Sequence, residues 1–240
     1  MIETLSFELF KNKLLSGITL KNESQELPYG FSINKGDLYS NSEVKSMRIG
    51  LAKTLGIDYT NMVFISQTHS DIVEIFDKER DSYFADAIIT NQAGVCLNVS
   101  VADCIGLILY DSTNKVLAAI HSGWKGTQQN IAKNAVEKMS QVFGSNPRNI
   151  NAIISPSASG EVYEVGKEVA DYFPNSIKQI SESKYLFDNK NQVKLQLIEA
   201  GVNIDKIIIQ KECSITDLRF HSFRRDKDKS GRMSVFAMMK

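Results

Sequence analysis

A chain of 240 residues with 42% hydrophobic and 23% charged side chains can bury one large core, which excludes a disordered or fibrous protein. Its 28 basic and 28 acidic residues cancel to zero net charge, arguing against a nucleic-acid binder or a surface drawn to acidic lipid. No apolar run approaches the ~18 residues of a membrane span, and Met1-Ile2-Glu3-Thr4-Leu5 lacks the basic start and apolar stretch of a secretion signal.

In chain order, the first predicted element is a short strand near Gly30-Phe31-Ser32-Ile33. A helix follows over about Glu43 to Leu55, with Ser42 as cap, Val44, Met47, Leu51 and Leu55 on one face, and Gly56 as its stop. The middle of the chain is rich in short apolar, β-branched runs that read as strands: 62–65, 71–75, 87–89, 95–99, 107–110 and 116–120. A long helix is predicted from Thr127 to Phe143, entered through Gly123-Trp124-Lys125-Gly126. Beyond it come a strand at 152–154, helices at Val165–Tyr172 and Gln192–Ala200, a strand at 207–209 and a last strand near Ser234-Val235-Phe236. The pattern predicts one α/β (α+β) domain over residues 1–240, with mixed β-sheets flanked by helices.

Three cysteines, Cys96, Cys104 and Cys213, cannot all pair with one another. Without a secretion signal they point to the reducing cytoplasm, and at least one thiol needs another explanation. The chain has three histidines, and two of them, His69 and His121, fall with Cys104 at strand ends, where a rigid scaffold presents chemistry. Two imidazoles and a thiolate suit zinc and leave a fourth tetrahedral position open. The same donors resemble the trigonal set of a blue-copper site, which would need a weak axial ligand and is expected less than zinc, while a multicopper cluster needs more imidazoles than this chain holds. Spacing alone leaves two other readings open. One is a buried thiol with two hydrogen-bonded histidines. The other is a cysteine nucleophile, Cys104, with His121 as its base and Asp103 or Gln67 as orienting group.

A set of motifs carries a resemblance. Ser66-Gln67-Thr68-His69, Asp86-Ala87-Ile88-Ile89-Thr90-Asn91 with Ala102-Asp103-Cys104, and His121-Ser122-Gly123-Trp124-Lys125-Gly126 lie in order along the chain. Ile154-Ser155-Pro156 with Tyr163-Glu164-Val165-Gly166, and Arg219 to Asp226 closed by Gly231-Arg232-Met233, complete the set. Together they resemble the purine nucleoside phosphorylase family, also known as laccase-domain or polyphenol oxidase proteins, which includes a bacterial peptidoglycan editing factor. The resemblance implies a cytoplasmic zinc enzyme in which His69, Cys104 and His121 hold the metal at the active site. It implies phosphorolysis of adenosine, inosine or guanosine to free base and ribose 1-phosphate, with adenosine deamination and methylthioadenosine phosphorolysis as further activities. Purine nucleosides and phosphate are then the partners, and the oligomeric state is left open.

Within that reading Arg48, Gln67, Ser222 and Arg224 are candidate substrate-binding residues, Ser222 and Arg224 sharing a face if they lie on a strand. Asp103 is a candidate to orient a ligand histidine or to carry a proton. Arg225 is expected to pair with Asp226 or Asp228, and Cys96, Cys213 and His221 are left to structure. The chain departs from the family at Ser32-Ile33-Asn34-Lys35-Gly36-Asp37, at Ser157 to Val162 and at His221. The alternative activity is a cysteine hydrolase, or an editing enzyme for peptidoglycan precursors, built on Cys104 and His121.

Overall fold

Residues 105–111 and 116–122 are apolar at nearly every position, and a strand can carry such a run only when both of its faces are covered. The computed structural model, which describes residues 2–8, 12–22, 30–34, 39–78, 80 and 82–240, shows how they are covered. The departing residues Lys35, Gly36 and Asp37 lie outside the described residues.

The chain begins with β1 (Thr4–Ser6) and β2 (Leu14–Thr19), followed by α1 (Asn41–Leu55). Six strands come next: β3 (Met62–Phe64), β4 (Val73–Ile75), β5 (Ala87–Thr90), β6 (Cys96–Val101), β7 (Ile105–Asp111) and β8 (Val116–Ser122). Then follow α2 (Trp124–Gln128), α3 (Ile131–Phe143), β9 (Ile150–Ile154), β10 (Glu164–Val165), α4 (Lys167–Ala170), β11 (Ile177–Gln179) and β12 (Tyr185–Phe187). The last elements are α5 (Asn189–Glu199), β13 (Ile207–Ile209), α6 (Phe223–Asp226) and β14 (Met233–Met239).

Among the described residues the strands make three sheets, ordered β1-β2-β14-β6-β3, β13-β9-β7-β8-β5-β4 and β10-β12-β11. Both large sheets are mixed: β3–β6, β4–β5 and β13–β9 run parallel, and the other pairs antiparallel. Alternation along the strands then sets the layers. Ile88, Ile108, Leu117, Ala119 and Ile153 of the six-stranded sheet meet Leu97, Val99, Val235 and Ala237 of the five-stranded one. Their neighbours Ile89, Leu107, Leu109, Ala118 and Ile120 face the other way, onto α3 and α5. On the outer side of the five-stranded sheet, Leu51 and Ala52 of α1 pack with Met62, Cys96 and Phe236. The order is therefore α1, sheet, sheet, α3 with α5. Ile108→Ala would open a cavity between the two sheets at a cost of about 2–5 kcal/mol.

Several boundaries differ from the sequence expectation. Helix α1 is capped by Ser40 rather than Ser42, because Glu43 completes a capping box with it: Glu43 N donates to Ser40 Oγ (3.3 Å) and Ser40 N to Glu43 Oε2 (2.7 Å). Residues 30–34 form no strand; Phe31 N donates to Lys21 O and Ile33 N to Arg232 O, so the segment bridges two chain regions instead of joining a ladder.

The helix expected over 127–143 is two helices, broken at Asn130, which takes φ +62°. The break is held from α5. Gln196 Nε2 donates to Thr127 O (2.5 Å) and Asn130 Oδ1 (3.0 Å), while Thr127 Oγ1 donates to Asn189 Oδ1 (2.8 Å). The helix expected over 165–172 is the short strand β10 followed by one turn, α4. The strand imagined through Ser222 and Arg224 is also absent: Ser222 caps α6, its Oγ accepting from Arg225 N (3.2 Å).

His221 is fully buried and bonded on both nitrogens: Nε2–H donates to Phe31 O (2.6 Å), and Nδ1 accepts from Gly231 N (3.1 Å). Burial of this neutral ring pulls its pKa down to about 4. Cys96 is equally buried, and burial pushes its thiol up to about 12.

Candidate metal centre

The three donors come from three separate pieces of backbone. His69 lies in the loop after β3 with φ +60°, a conformation a β-carbon disfavours, so something must hold it. Asp86, wholly buried just before β5, does so. Its carboxylate accepts from Thr68 N (3.1 Å), His69 N (3.1 Å), Ser70 N (2.7 Å) and Ser70 Oγ (2.7 Å). The same carboxylate lies 2.8 Å from Nδ1 of His121, near the end of β8, and a donated Nδ1–H leaves the other ring nitrogen free as a ligand. Burial would raise Asp86, yet the bonds from His121 and Ser70 hold it well below the usual carboxylate range.

Cys104 sits on the turn between β6 and β7, beside Asp103 at φ +77°. Asp103 Oδ1 accepts from Ser214 Oγ (2.7 Å), its Oδ2 from Arg224 N (2.6 Å) and its carbonyl from Ala158 N (3.0 Å). That corrects the expectation that Asp103 orients a histidine: Asp86 does, and Asp103 fixes the Cys104 turn to the start of α6. Sequence reading placed Asp86 in a matching motif without giving it a role, since nothing in spacing shows that a carboxylate 35 residues from His121 reaches its ring.

The ligating atoms of His69, Cys104 and His121 all lie within 4.8 Å of one another, and the two imidazoles meet edge to face at 4.8 Å. Burial alone would raise the Cys104 thiol, but His121 and His69 beside it offset this and bring it down to about 6. Burial would lower His121, while Cys104 and Asp86 hold it up to about 9. A thiolate between two imidazoles is a donor set that a single soft or borderline metal ion fits. Gly123 keeps the space tight. Its φ of −77° is open to any residue, but an added β-carbon would lie 3.0 Å from Cys104 Sγ and 3.1 Å from His69 Cδ2. Gly123 is thus needed for room, and the helix that follows it has only five residues.

Two cavities meet at these donors, sharing His69, Ala102, Cys104 and Phe223. The larger, about 500 Å³, is walled by Trp124, Tyr163, Arg224 and Lys125. The smaller, about 380 Å³, runs past Gln67, Ser100, His121 and Arg232. A wider groove of about 710 Å³ lies elsewhere, among Ser159, Lys178 and Lys190, and touches none of the three donors.

The remaining candidates are placed as follows. Gln67 is clamped to Ser100, donating to its carbonyl (2.8 Å) and accepting from its N–H (2.6 Å), at the rim of the smaller cavity. Arg224 lies 5.3 Å from the Tyr163 ring centre in the larger one. Ser222 is buried in its capping role. Arg48 lines a different cavity, stacked 4.1 Å over Phe64 and donating to Ile33 O. Arg225 pairs with Asp226 at 2.8 Å.

Two histidines and a cysteine gathered at a cleft, one steered by a buried carboxylate, define a candidate metalloprotein of the mixed α/β class. The family model described as multi-copper polyphenol oxidoreductase laccase matches residues 22–240, and the chain belongs to that family. A Clostridium acetobutylicum protein named a purine nucleoside phosphorylase is 36% identical over 181 residues, covering 74% of this chain and 76% of that one. The purine nucleoside phosphorylase YlmD of Bacillus subtilis is 31% identical over 249 residues, covering 95% of this chain and 89% of its own. The crystal structure of Bacillus licheniformis YfiH superposes with a TM-score of 0.92 at 27% identity, covering 99% of this chain and 96% of that one. Among the described residues no helix is long and apolar enough to cross a membrane.

Proposed function

We propose that this protein is a zinc-dependent purine nucleoside phosphorylase of the cytoplasm, residues 1–240 acting as one domain. The observation that supports this most is the convergence of His69, Cys104 and His121 where two cavities join, in a chain whose relatives bear that name. The substrates are purine nucleosides and phosphate. His69, Cys104 and His121 would hold the zinc, which would supply Lewis-acid chemistry at the cleft.

The chain's own residues do the rest. Asp86 holds the His121 tautomer and, through three backbone N–H groups, the loop that carries His69. Trp124 and Tyr163 line the larger cavity and would border the purine, with Arg224 5.3 Å from the centre of the Tyr163 ring. Asp103 has both oxygens engaged, which suits a positioning residue better than a proton carrier. Gln67 acts likewise, through Ser100.

A second reading has one geometric observation in its favour. Asp86, His121 and Cys104 also form the carboxylate–imidazole–thiol order of a cysteine hydrolase, which could serve an editing role on peptidoglycan precursors. His69 has no task in it.

The test is metal analysis of untagged protein and Cys104→Ala, then incubation with inosine and adenosine with and without phosphate. About one zinc per chain, lost in the variant, with base released only when phosphate is present, supports the phosphorylase. Inosine formed from adenosine adds deamination. Metal-free protein whose Cys104 alkylates at once, with no dependence on chelator, moves the assignment to the hydrolase.

A further inference from the structure

Phosphorolysis needs a place for a doubly charged oxyanion next to the sugar, and the two cavities differ in what they offer one. The larger carries Trp124 and Tyr163, the exposed cations Lys125, Arg224 and Lys227, and the Asp103 carboxylate, which would repel an oxyanion. The smaller has no carboxylate in its described lining and one guanidinium, that of Arg232. Resting on the phosphorylase reading, we propose that Arg232 binds the phosphate co-substrate in the smaller cavity, opposite the purine across Cys104.

Arg232 is partly buried and has no ion pair among the described residues. Its Nη1 donates to the carbonyls of Ser230 (2.7 Å) and Gly231 (2.9 Å), which fixes the side chain, and the group lies 5.3 Å from the Phe223 ring centre. Those bonds use one nitrogen. The Nε and Nη2 edge is the one a planar guanidinium offers to two oxygens at once.

Arg225 makes the contrast: its Nε and Nη2 bind Asp226, and its remaining bonds go to the carbonyls of Ser214, Ile215 and Phe220. A guanidinium withdrawn from water without a counter-ion is costly, and an incoming oxyanion removes that cost. Burial lowers the pKa of Arg232, and the opposing charges it feels are Cys104, at the junction of the cavities, and Asp103, in the larger one. Of the sequence's substrate-binding arginines, Arg48 lines another cavity and Arg224 the larger one.

The arrangement places nucleophile and leaving group on opposite sides of the sugar. A phosphate oxygen forms the bond to C1′ while the C1′–N9 bond breaks. The bonding pair leaves with the purine, and the proton of hydrogen phosphate ends on the purine nitrogen. Atoms and charge balance with phosphate as the only co-reactant.

The experiment measures inorganic phosphate binding to zinc-loaded protein by calorimetry, and in parallel the phosphate and inosine dependence of base release. Wild type is compared with Arg232→Gln and Arg232→Lys. The expected result is phosphate affinity weaker by about 10- to 100-fold in the Gln variant. The KM for phosphate rises in step, while zinc content and the KM for inosine stay unchanged. Arg232→Lys, which keeps the charge and the carbonyl bonds but not the fork, falls between and covers a Gln variant that does not fold. Equal phosphate affinity in wild type and folded variants, or no phosphate binding to wild type, overturns the assignment. Phosphate bound through Arg232 without any nucleoside turnover would leave the assignment standing and remove the phosphorylase reading instead.

Discussion

Acid should unlock the fold at His221 before it reaches the carboxylates. The folded ring takes its proton near pH 4, against 6.5 for an ordinary histidine. Between those values the unfolded chain binds more protons than the native one, so stability falls as pH falls. The loss begins near 6.5 and is complete below about 4. A separation of about 2.5 pH units is worth about 3 kcal/mol in full, of which about 2 kcal/mol is lost by pH 5. The structure supplies the reason. Burial disfavours the charged ring, and a proton on Nδ1 would face the N–H of Gly231 that now donates to it. Urea unfolding of chelator-treated wild type and His221→Gln at pH 7.5 and 5.0 isolates the effect, because other titrations are common to both. With a slope near ~2.5 kcal/mol per molar, wild type should lose roughly 0.8 M more in midpoint than the variant. Equal losses in the two proteins, or a His221 ring proton titrating near 6.5 by NMR, would refute the reasoning.

Two further outcomes are expected. Asp86→Asn should weaken metal binding by about 10- to 100-fold in competition with a chromogenic chelator, because His121 loses its carboxylate and the 68–70 loop its acceptor; unchanged affinity would mean that Asp86 steers nothing. Gly123→Ala should lower metal affinity roughly tenfold while leaving the unfolding temperature of the metal-free protein nearly unchanged, since the backbone tolerates alanine there and only the space beside Cys104 and His69 does not.

What was legible in the sequence is what local pattern encodes. The apolar runs between Met62 and Ile120 became strands because burial on both faces needs no more than unbroken hydrophobicity. The three donors were joined as a group by the family motifs that carry them, since spacing alone favoured a buried thiol with two hydrogen-bonded histidines. The losses were contacts distant in sequence. β1 and β2 escaped notice because β2 pairs with β14, more than 200 residues away, and β1 only with β2. Asn130 breaks a helix that its neighbours would continue, because Gln196 and Asn189 reach in from α5. Ser222 and Arg224 resembled a strand until Asp103 and Arg225 were seen to set a helix start there. Asp86 was missed because it acts on His121, which only the pairing of β5 with β8 brings near.

The position of β14 has a consequence for how the molecule is made. This strand, the last described, lies between β2 and β6, so two facing ladder edges stay open until it emerges. On the ribosome the six-stranded sheet can be complete from residue 209 onward, with His69, Cys104 and His121 already synthesised. The sheet beside it waits for β14, and Arg232 arrives just ahead of that strand. A chain stalled near residue 230 therefore carries His69, Cys104 and His121 together with two strands each open along one edge, a species for chaperones and proteases.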